Sequence, residues 1–133
     1  MKVLTIKEPF ASLIKDKKKF IETRSWKTKY RGELYIHAGL SIYKKESTDK
    51  LYNQLVQETK INPGKIICKC TLKDCVYMTE EFIRELKQNN YQECVLGDYK
   101  VGRYAWILED IVPLNNPIEA KGKLNLWNFE NNK

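Results

Sequence analysis

The side chains best suited to binding or chemistry are concentrated in one stretch, residues 15–31 (KDKKKFIETRSWKTKYR). Eight of these residues are lysine or arginine and two are acidic, so the stretch carries +6, whereas the whole chain carries +7. Three aromatic residues, Phe20, Trp26 and Tyr30, stand among the charges. This combination is typical of a surface that binds phosphate groups and stacks bases, although it also fits a solvated basic face.

Alternation within this stretch predicts a strand over residues 20–26. Residues two apart in a strand point to the same face, so Glu22 and Arg24 should leave the sheet together. They form either an exposed ion pair of small energetic value or a charged pair on the floor of a pocket. In the second interpretation, Lys19 lies at the lip of that pocket.

His37 is the only histidine of the chain and falls in a predicted strand over residues 33–38. Its neighbours Leu34 and Ile36 belong to one face of that strand, and His37 belongs to the other. Histidine can transfer protons near neutral pH, but a lone histidine on a strand also suits a structural role. Both interpretations remain open at this point.

The four cysteines do not show the paired spacing of zinc sites. In a strand over residues 65–77, Cys68 and Cys70 share a face with Ile66 and Leu72, which places the two thiols in an apolar row. We therefore expect core cysteines, no metal site and no disulfide.

Bulk composition favours one domain spanning residues 1–133. The hydrophobic fraction of 42% excludes an intrinsically disordered chain. No apolar run reaches the roughly 20 residues that a membrane-spanning helix needs. The opening MKVLTIKEPF lacks the apolar core of a signal peptide, so we expect a cytoplasmic protein that does not associate with membranes.

Periodicity predicts short strands interspersed with helices. Strands are expected at residues 2–6, 20–26, 33–38, 65–77 and 103–112, and helices from residue 9, over 44–60 and after an N-cap at Thr79. Pro113 and Pro117 should bracket a turn, and Trp127 should plug the core. Because the elements do not alternate strictly, the pattern favours an α+β fold, a small mixed β-barrel with two or three peripheral helices.

Four blocks of the sequence, in the expected order, resemble the ASCH (activating signal cointegrator homology) domain family. They are residues 4–11 (LTIKEPFA), 19–26 (KFIETRSW, with the signature K-x-x-E-x-R), 30–38 (YRGELYIHA), and 102–106 (GRYAW) with 122–127 (GKLNLW). The resemblance implies a PUA-like barrel and a cleft lined by Lys19, Glu22 and Arg24, with Arg31 and His37 nearby. One departure is that residues 16–18 (DKK) replace the usual glycine before the signature.

The resemblance and the charge pattern together predict a domain that binds single-stranded RNA or a nucleotide-like ligand, without a cofactor. The candidate ligand-binding residues all belong to the basic stretch: Lys19, Glu22, Arg24, Trp26, Tyr30 and Arg31. In this hypothesis the two arginines contact phosphate, Lys19 adds charge at the rim, and Glu22 orients Arg24. One of the two aromatic rings stacks on a base.

Three alternatives remain open. The first is a ribonuclease with Lys19, Glu22 and His37 as candidate catalytic residues. The second is an N(4)-acetylcytidine amidohydrolase. The chain resembles one branch of the family that has this activity and uses a lysine, a threonine and a glutamate for it. Glu22 stands at the position of that threonine, and Asp74 is a candidate for the glutamate. The third is a protein-interaction module of an RNA-processing or transcription complex.

Overall fold

Six β-strands form one mixed sheet in residues 1–130, the part of the chain that the computed structural model describes. The strands are β1 (Lys2–Glu8), β2 (Ile21–Arg24), β3 (Gly32–Ile42), β4 (Lys65–Tyr77), β5 (Tyr104–Glu119) and β6 (Leu126–Asn128). Their order across the sheet is β2-β5-β4-β3-β1-β6. The pair β1–β3 is parallel, and the other neighbours are antiparallel.

The sheet is open but strongly curled. In a flat sheet, β2 and β1 would lie about 19 Å apart, because four spacings of about 4.8 Å separate them. Arg24 of β2 nevertheless donates a hydrogen bond through Nη2 to the backbone oxygen of Thr5 in β1 at 2.8 Å. The predicted α+β fold is therefore confirmed, and the barrel is an incompletely closed one whose open side lies between β1 and β2.

The inward faces of the central strands form the main core. Cys68, Cys70 and Leu72 of β4 are buried in this core, as the alternation predicted. Ile66 does not share their face, because the ladder shifts register between Ile66 and Cys68; Ile67 enters this core, and Ile66 is buried in another cluster with Val3. Burial raises the pKa of the Cys70 thiol to about 12, and it also raises the pKa of Cys68, so these thiols stay protonated. No group of three potential metal ligands occurs within residues 1–130.

Strand β5 differs from the sequence prediction, because it continues through Pro113 and Pro117 instead of turning there. Its first residues pair with β2 on one side, whereas from Leu108 onward the register shows only β4 as its partner. Proline lacks an amide hydrogen and is tolerated where a strand has an unpaired edge or an irregular register. One such shift lies between Ile66 and Cys68, whose partners are Ile118 and Pro113, so the strand accommodates both prolines without ending.

Four helices accompany the sheet in the described residues: α1 (Phe10–Lys15), α2 (Lys50–Glu58), α3 (Glu80–Asn89) and α4 (Tyr91–Val95). The sequence predicted two or three, and α4 is the addition. Helix α2 is shorter than the predicted span of 44–60, because Asp49 caps it by accepting a hydrogen bond from the Tyr52 amide at 2.9 Å. None of the helices within residues 1–130 combines the length and the apolarity required to span a bilayer.

Trp127 closes one end of the core, as predicted. Its side chain is buried in a cluster with Val3 and Ile66, and its Nε1 donates to Thr5 Oγ1 at 3.0 Å. The ring also packs edge-on against His37, with 5.8 Å between centroids. This packing holds β6 against β1 and brings the preceding loop, residues 120–125, close to Thr5 and His37.

Thr79→Ala should lower the free energy of unfolding by about 1 kcal/mol, the usual cost of losing an N-cap side chain. Thr79 Oγ1 accepts a hydrogen bond from the Phe82 amide at 3.0 Å at the start of α3, and the loss would leave that amide without its cap. Urea denaturation measures the change. Thr79→Ser keeps the hydroxyl and should retain most of the stability, and an equal loss in both variants would contradict the capping role.

Candidate functional site

A cleft of about 1050 Å3 opens between the curled ends of the sheet. Side chains of β1, β2 and β3 form its walls, together with the loops at residues 95–103 and 122–125. Gly122 lies against Thr5 and His37, where an added Cβ would approach within 3.0–3.1 Å, so the second loop sits tightly on the barrel. The cleft therefore occupies the open side of the incompletely closed barrel.

Glu22 and Arg24 meet in this cleft, on the face that strand alternation predicted. Arg24 Nε and Nη2 lie 3.1 and 2.9 Å from Glu22 Oε2, and Nη2 also donates to Thr5 O. The Arg24 side chain is 23% exposed, and its Nη1 forms no hydrogen bond within residues 1–130. Glu22 thus holds the guanidinium in place while one nitrogen stays available for an incoming oxyanion.

Lys19 lies at the floor of the cleft and not at its lip, which corrects the sequence prediction. Its side chain is only 1% exposed, and Nζ donates to the backbone oxygen of Leu96 at 2.8 Å. The carboxylate of Glu93 is 3.9 Å from Nζ, and the ring centroid of Phe10 is 5.6 Å away. Burial lowers the pKa of Lys19, although the charges of Glu22 and Glu93 partly oppose this shift.

Glu93 is the functional-site candidate that sequence reasoning missed. It lies on α4, where its Oε1 accepts a hydrogen bond from the Phe20 amide at 2.6 Å, while Oε2 finds no hydrogen-bond partner in the described chain. Burial raises its pKa against the opposing effect of Lys19. No spacing in the sequence connects Glu93 with Lys19. Asp74, the earlier candidate for a partner carboxylate, is instead exposed beside Arg31.

His37 is held by protein groups at both ring nitrogens. Nε2 donates to the backbone oxygen of Ala120 at 2.7 Å, and Nδ1 lies 3.2 Å from Thr5 Oγ1. The Thr5 hydroxyl also accepts a hydrogen bond from Trp127 Nε1, so it connects the two rings. The ring is only 1% exposed. This arrangement supports a structural role for His37 rather than the catalytic one considered from the sequence.

The other three predicted ligand-binding residues do not all lie in the cleft. Trp26 lines the cleft and packs edge-on against buried Trp106, with 4.8 Å between centroids. Tyr30 and Arg31 lie outside the cleft: the Tyr30 hydroxyl donates to Glu33 O, and Arg31 donates to Thr28 O and pairs with Asp74 at 3.4 Å. The stacking and phosphate-binding roles expected for these two residues therefore have no support from this cavity.

Positive charge converges on the cleft from separate parts of the chain. Its described lining includes seven cationic side chains, Lys7, Lys19, Arg24, Lys45, Lys100, Arg103 and Lys123, against the two carboxylates of Glu22 and Asp98. Only two of the seven belong to the basic stretch 15–31. The positive field of the cleft is consequently a product of folding, and the nearly neutral remainder of the sequence supplies most of it.

Comparison with known proteins agrees with this architecture. The model of the ASCH domain family matches residues 4–119. The crystal structure of ASCH from Zymomonas mobilis shares 20% identity with the chain at a TM-score of 0.55, covering 89% of this chain and 72% of that one. A point mutant of the same Zymomonas mobilis protein gives the same identity and TM-score, with 89% and 74% covered. No curated protein sequence matches significantly.

Proposed function

Because the chain belongs to the ASCH domain family, we propose that its cleft binds single-stranded RNA or a nucleotide-like ligand. The observation that carries this proposal is the convergence of seven cationic side chains on one cavity of about 1050 Å3. A cavity of this size exceeds the usual range of small-molecule sites, roughly 300–1,000 Å3, so a nucleotide fits with room to spare. A concave surface lined by one sign of charge attracts the opposite charge, here the phosphate groups.

The exposed cationic side chains at the rim of the cleft and Arg24 contact the phosphate groups of the ligand. Lys45, Lys100 and Lys123 are exposed, and a lysine side chain has the rotatable bonds to follow a phosphate backbone. Arg24 differs from them, because Glu22 and Thr5 hold its guanidinium, while Nη1 has no hydrogen-bond partner within residues 1–130 and can donate to a ligand. A fixed guanidinium positions one phosphate, and the flexible lysines add affinity that depends on salt.

Residues in the deeper part of the cleft bind the base or the ribose. Trp26 presents a partly exposed indole to the same cleft as the Glu22–Arg24 pair, and such rings stack on bases of any sequence. Glu22 retains Oε1, which can accept a hydrogen bond from a ribose hydroxyl or an exocyclic amine. The combination favours RNA over a bare phosphate ligand.

Titration of the protein into labelled single-stranded RNA at several salt concentrations tests the proposal. The observed association constant should fall linearly on a double logarithmic plot, with a slope of about −0.7 for each phosphate contacted. Three to five contacts give a slope between about −2 and −3.5. A double-stranded RNA of the same sequence serves as the control. If neither RNA binds, or if the affinity does not depend on the salt concentration, the proposal is contradicted.

A second candidate function is hydrolysis, favoured by the buried Lys19 amine. Burial lowers the pKa of Lys19, which lines the cleft together with Glu22, and the buried carboxylate of Glu93 lies 3.9 Å from its Nζ. An amine of this kind can accept a proton from water or from a hydroxyl group. The ribonuclease and N(4)-acetylcytidine amidohydrolase hypotheses both need such a group, and Lys19 meets the requirement better than His37, whose nitrogens are occupied.

Product analysis after binding separates the two functions. RNA is incubated with the protein, with and without EDTA, and then run on a denaturing gel. N(4)-acetylcytidine is also incubated with the protein, and its hydrolysis is followed by chromatography. If hydrolysis occurs, Glu22→Gln should slow it strongly while the protein stays folded, because the amide keeps the shape but loses the charge beside Lys19. Intact RNA and intact nucleoside after prolonged incubation would exclude these two reactions and leave binding as the function.

A further inference from the structure

We propose that the ligand is an oligonucleotide, and that it continues from the cleft into a second groove between the end of β3 and helix α2. This inference rests on the proposed function, because it extends the same binding site. The second groove, called here the side groove, has a volume of about 700 Å3. Its wall includes Lys44, Asn53 and Gln57, none of which lines the cleft.

The two cavities are adjacent. Tyr43, Lys45 and Tyr52 line both of them, so these three side chains form the boundary between the cleft and the side groove. Lys45 Nζ stands 5.4 Å from the ring centroid of Tyr52. Tyr43 is 41% exposed and packs against Phe10 of the cleft, with 5.3 Å between centroids. A strand leaving the cleft therefore crosses an aromatic and cationic ridge before it enters the side groove.

The chemistry of the side groove suits a nucleotide better than a purely apolar partner. In the part of its wall that the structure describes, Lys44 and Lys45 outnumber the one carboxylate, that of Glu46. Ile42 and Ile61 are 45% and 37% exposed and provide apolar surface. Positive charge along the backbone path, together with exposed flat or apolar surface for the bases, is the usual composition of a groove that tracks single-stranded nucleic acid.

The combined volume argues for an extended ligand. The cleft alone slightly exceeds the usual volume range of sites for single small molecules, and the side groove by itself falls within that range. A mononucleotide would leave most of this surface empty. An oligonucleotide fills both cavities, and each additional stacked base adds affinity without requiring a particular sequence.

Two matched variants and two probe lengths test the inference. Lys44→Gln with Gln57→Glu changes only the side groove, whereas the control, Lys87→Gln with Gln88→Glu, makes the same substitutions on the exposed face of α3. Fluorescence anisotropy measures the binding of labelled diuridylate and octauridylate to each protein. We expect wild-type protein to prefer the octanucleotide by about tenfold or more, as one additional stacked base would give.

The side-groove variant should lose most of this preference and bind the dinucleotide as wild-type protein does, while the control keeps it. Equal affinity of wild-type protein for the two lengths would overturn this inference and leave the proposed function intact. An unchanged length preference in the side-groove variant, or the same loss in the control, would also overturn it. Failure of wild-type protein to bind either probe would overturn the inference together with the proposed function.

Discussion

Lys19→Met should lower the free energy of unfolding by about 3–5 kcal/mol, because the substitution leaves the buried carboxylate of Glu93 without its cation. Methionine has nearly the length of lysine and fills the space without creating a large cavity. Glu93 is 1% exposed, and its Oε2 has no hydrogen-bond partner in the described residues, so Lys19 provides the main compensation for that charge. Urea denaturation of the purified variant measures the loss.

The partner variant supplies the control. Glu93→Gln preserves the hydrogen bond from the Phe20 amide and removes the charge, so Lys19→Met with Glu93→Gln should be more stable than Lys19→Met alone. A double variant no more stable than the single one would show that Lys19 contributes by packing and not by charge.

The dependence of stability on pH gives an independent measurement. Burial already raises the pKa of Glu93 above its ordinary value of 4.5, and Lys19→Met removes the positive charge that opposes the shift. A carboxyl group with a raised pKa in the folded state binds more protons there than in the unfolded state, so stability falls as pH rises. Lys19→Met should therefore lose stability from about pH 5 upward, through the raised pKa, and the double variant should not show this component.

Removing the three rim lysines should weaken RNA binding by about a hundredfold or more at low salt, since each charge-assisted contact contributes roughly 1 kcal/mol or more. The variant is Lys45→Gln, Lys100→Gln and Lys123→Gln, all exposed side chains of the cleft. The slope of the salt dependence should also become shallower by about 2, corresponding to three lost phosphate contacts. Anisotropy titrations with octauridylate at several salt concentrations measure both quantities.

A matched variant tests whether position matters more than total charge. Lys17→Gln, Lys18→Gln and Lys29→Gln remove the same charge from exposed positions of the basic stretch 15–31 that do not line the cleft. At physiological salt, binding should change by no more than severalfold in this control, because these side chains do not line the cleft and charges more than a Debye length of about 8 Å apart are largely screened there. Equal weakening in both variants would contradict a localised cleft and indicate a diffuse electrostatic interaction.

Local rules predicted the parts of the fold that depend on neighbours in sequence. Residues two apart on a strand share a face, which correctly joined Glu22 with Arg24 and buried Cys68 with Cys70. The cap at Thr79 was predictable for the same reason, because its hydrogen bond reaches only three residues ahead.

The sequence predictions were wrong where contacts between residues far apart in the chain override local conformational preference, or where an element is too short to show a pattern. Pro113 and Pro117 favour a turn in isolation, but the ladder with β4 carries the chain straight through them. Helix α4 has only five residues, too few for a periodic pattern, and it follows directly on α3 with Asn90 as its cap.

The sequence by itself determined the family, the α+β fold and the pairing of Glu22 with Arg24, because these follow from motifs, alternation and spacing along the chain. Only the tertiary structure decided which charges share the cleft. Curling of the sheet brings Lys45, Lys100 and Lys123 to its rim and buries Lys19 beside Glu93, while Arg31 turns away to Asp74. A charge cluster in sequence becomes a charge cluster in space only if the strands and loops that carry it converge, and that convergence depends on contacts between residues far apart in the chain.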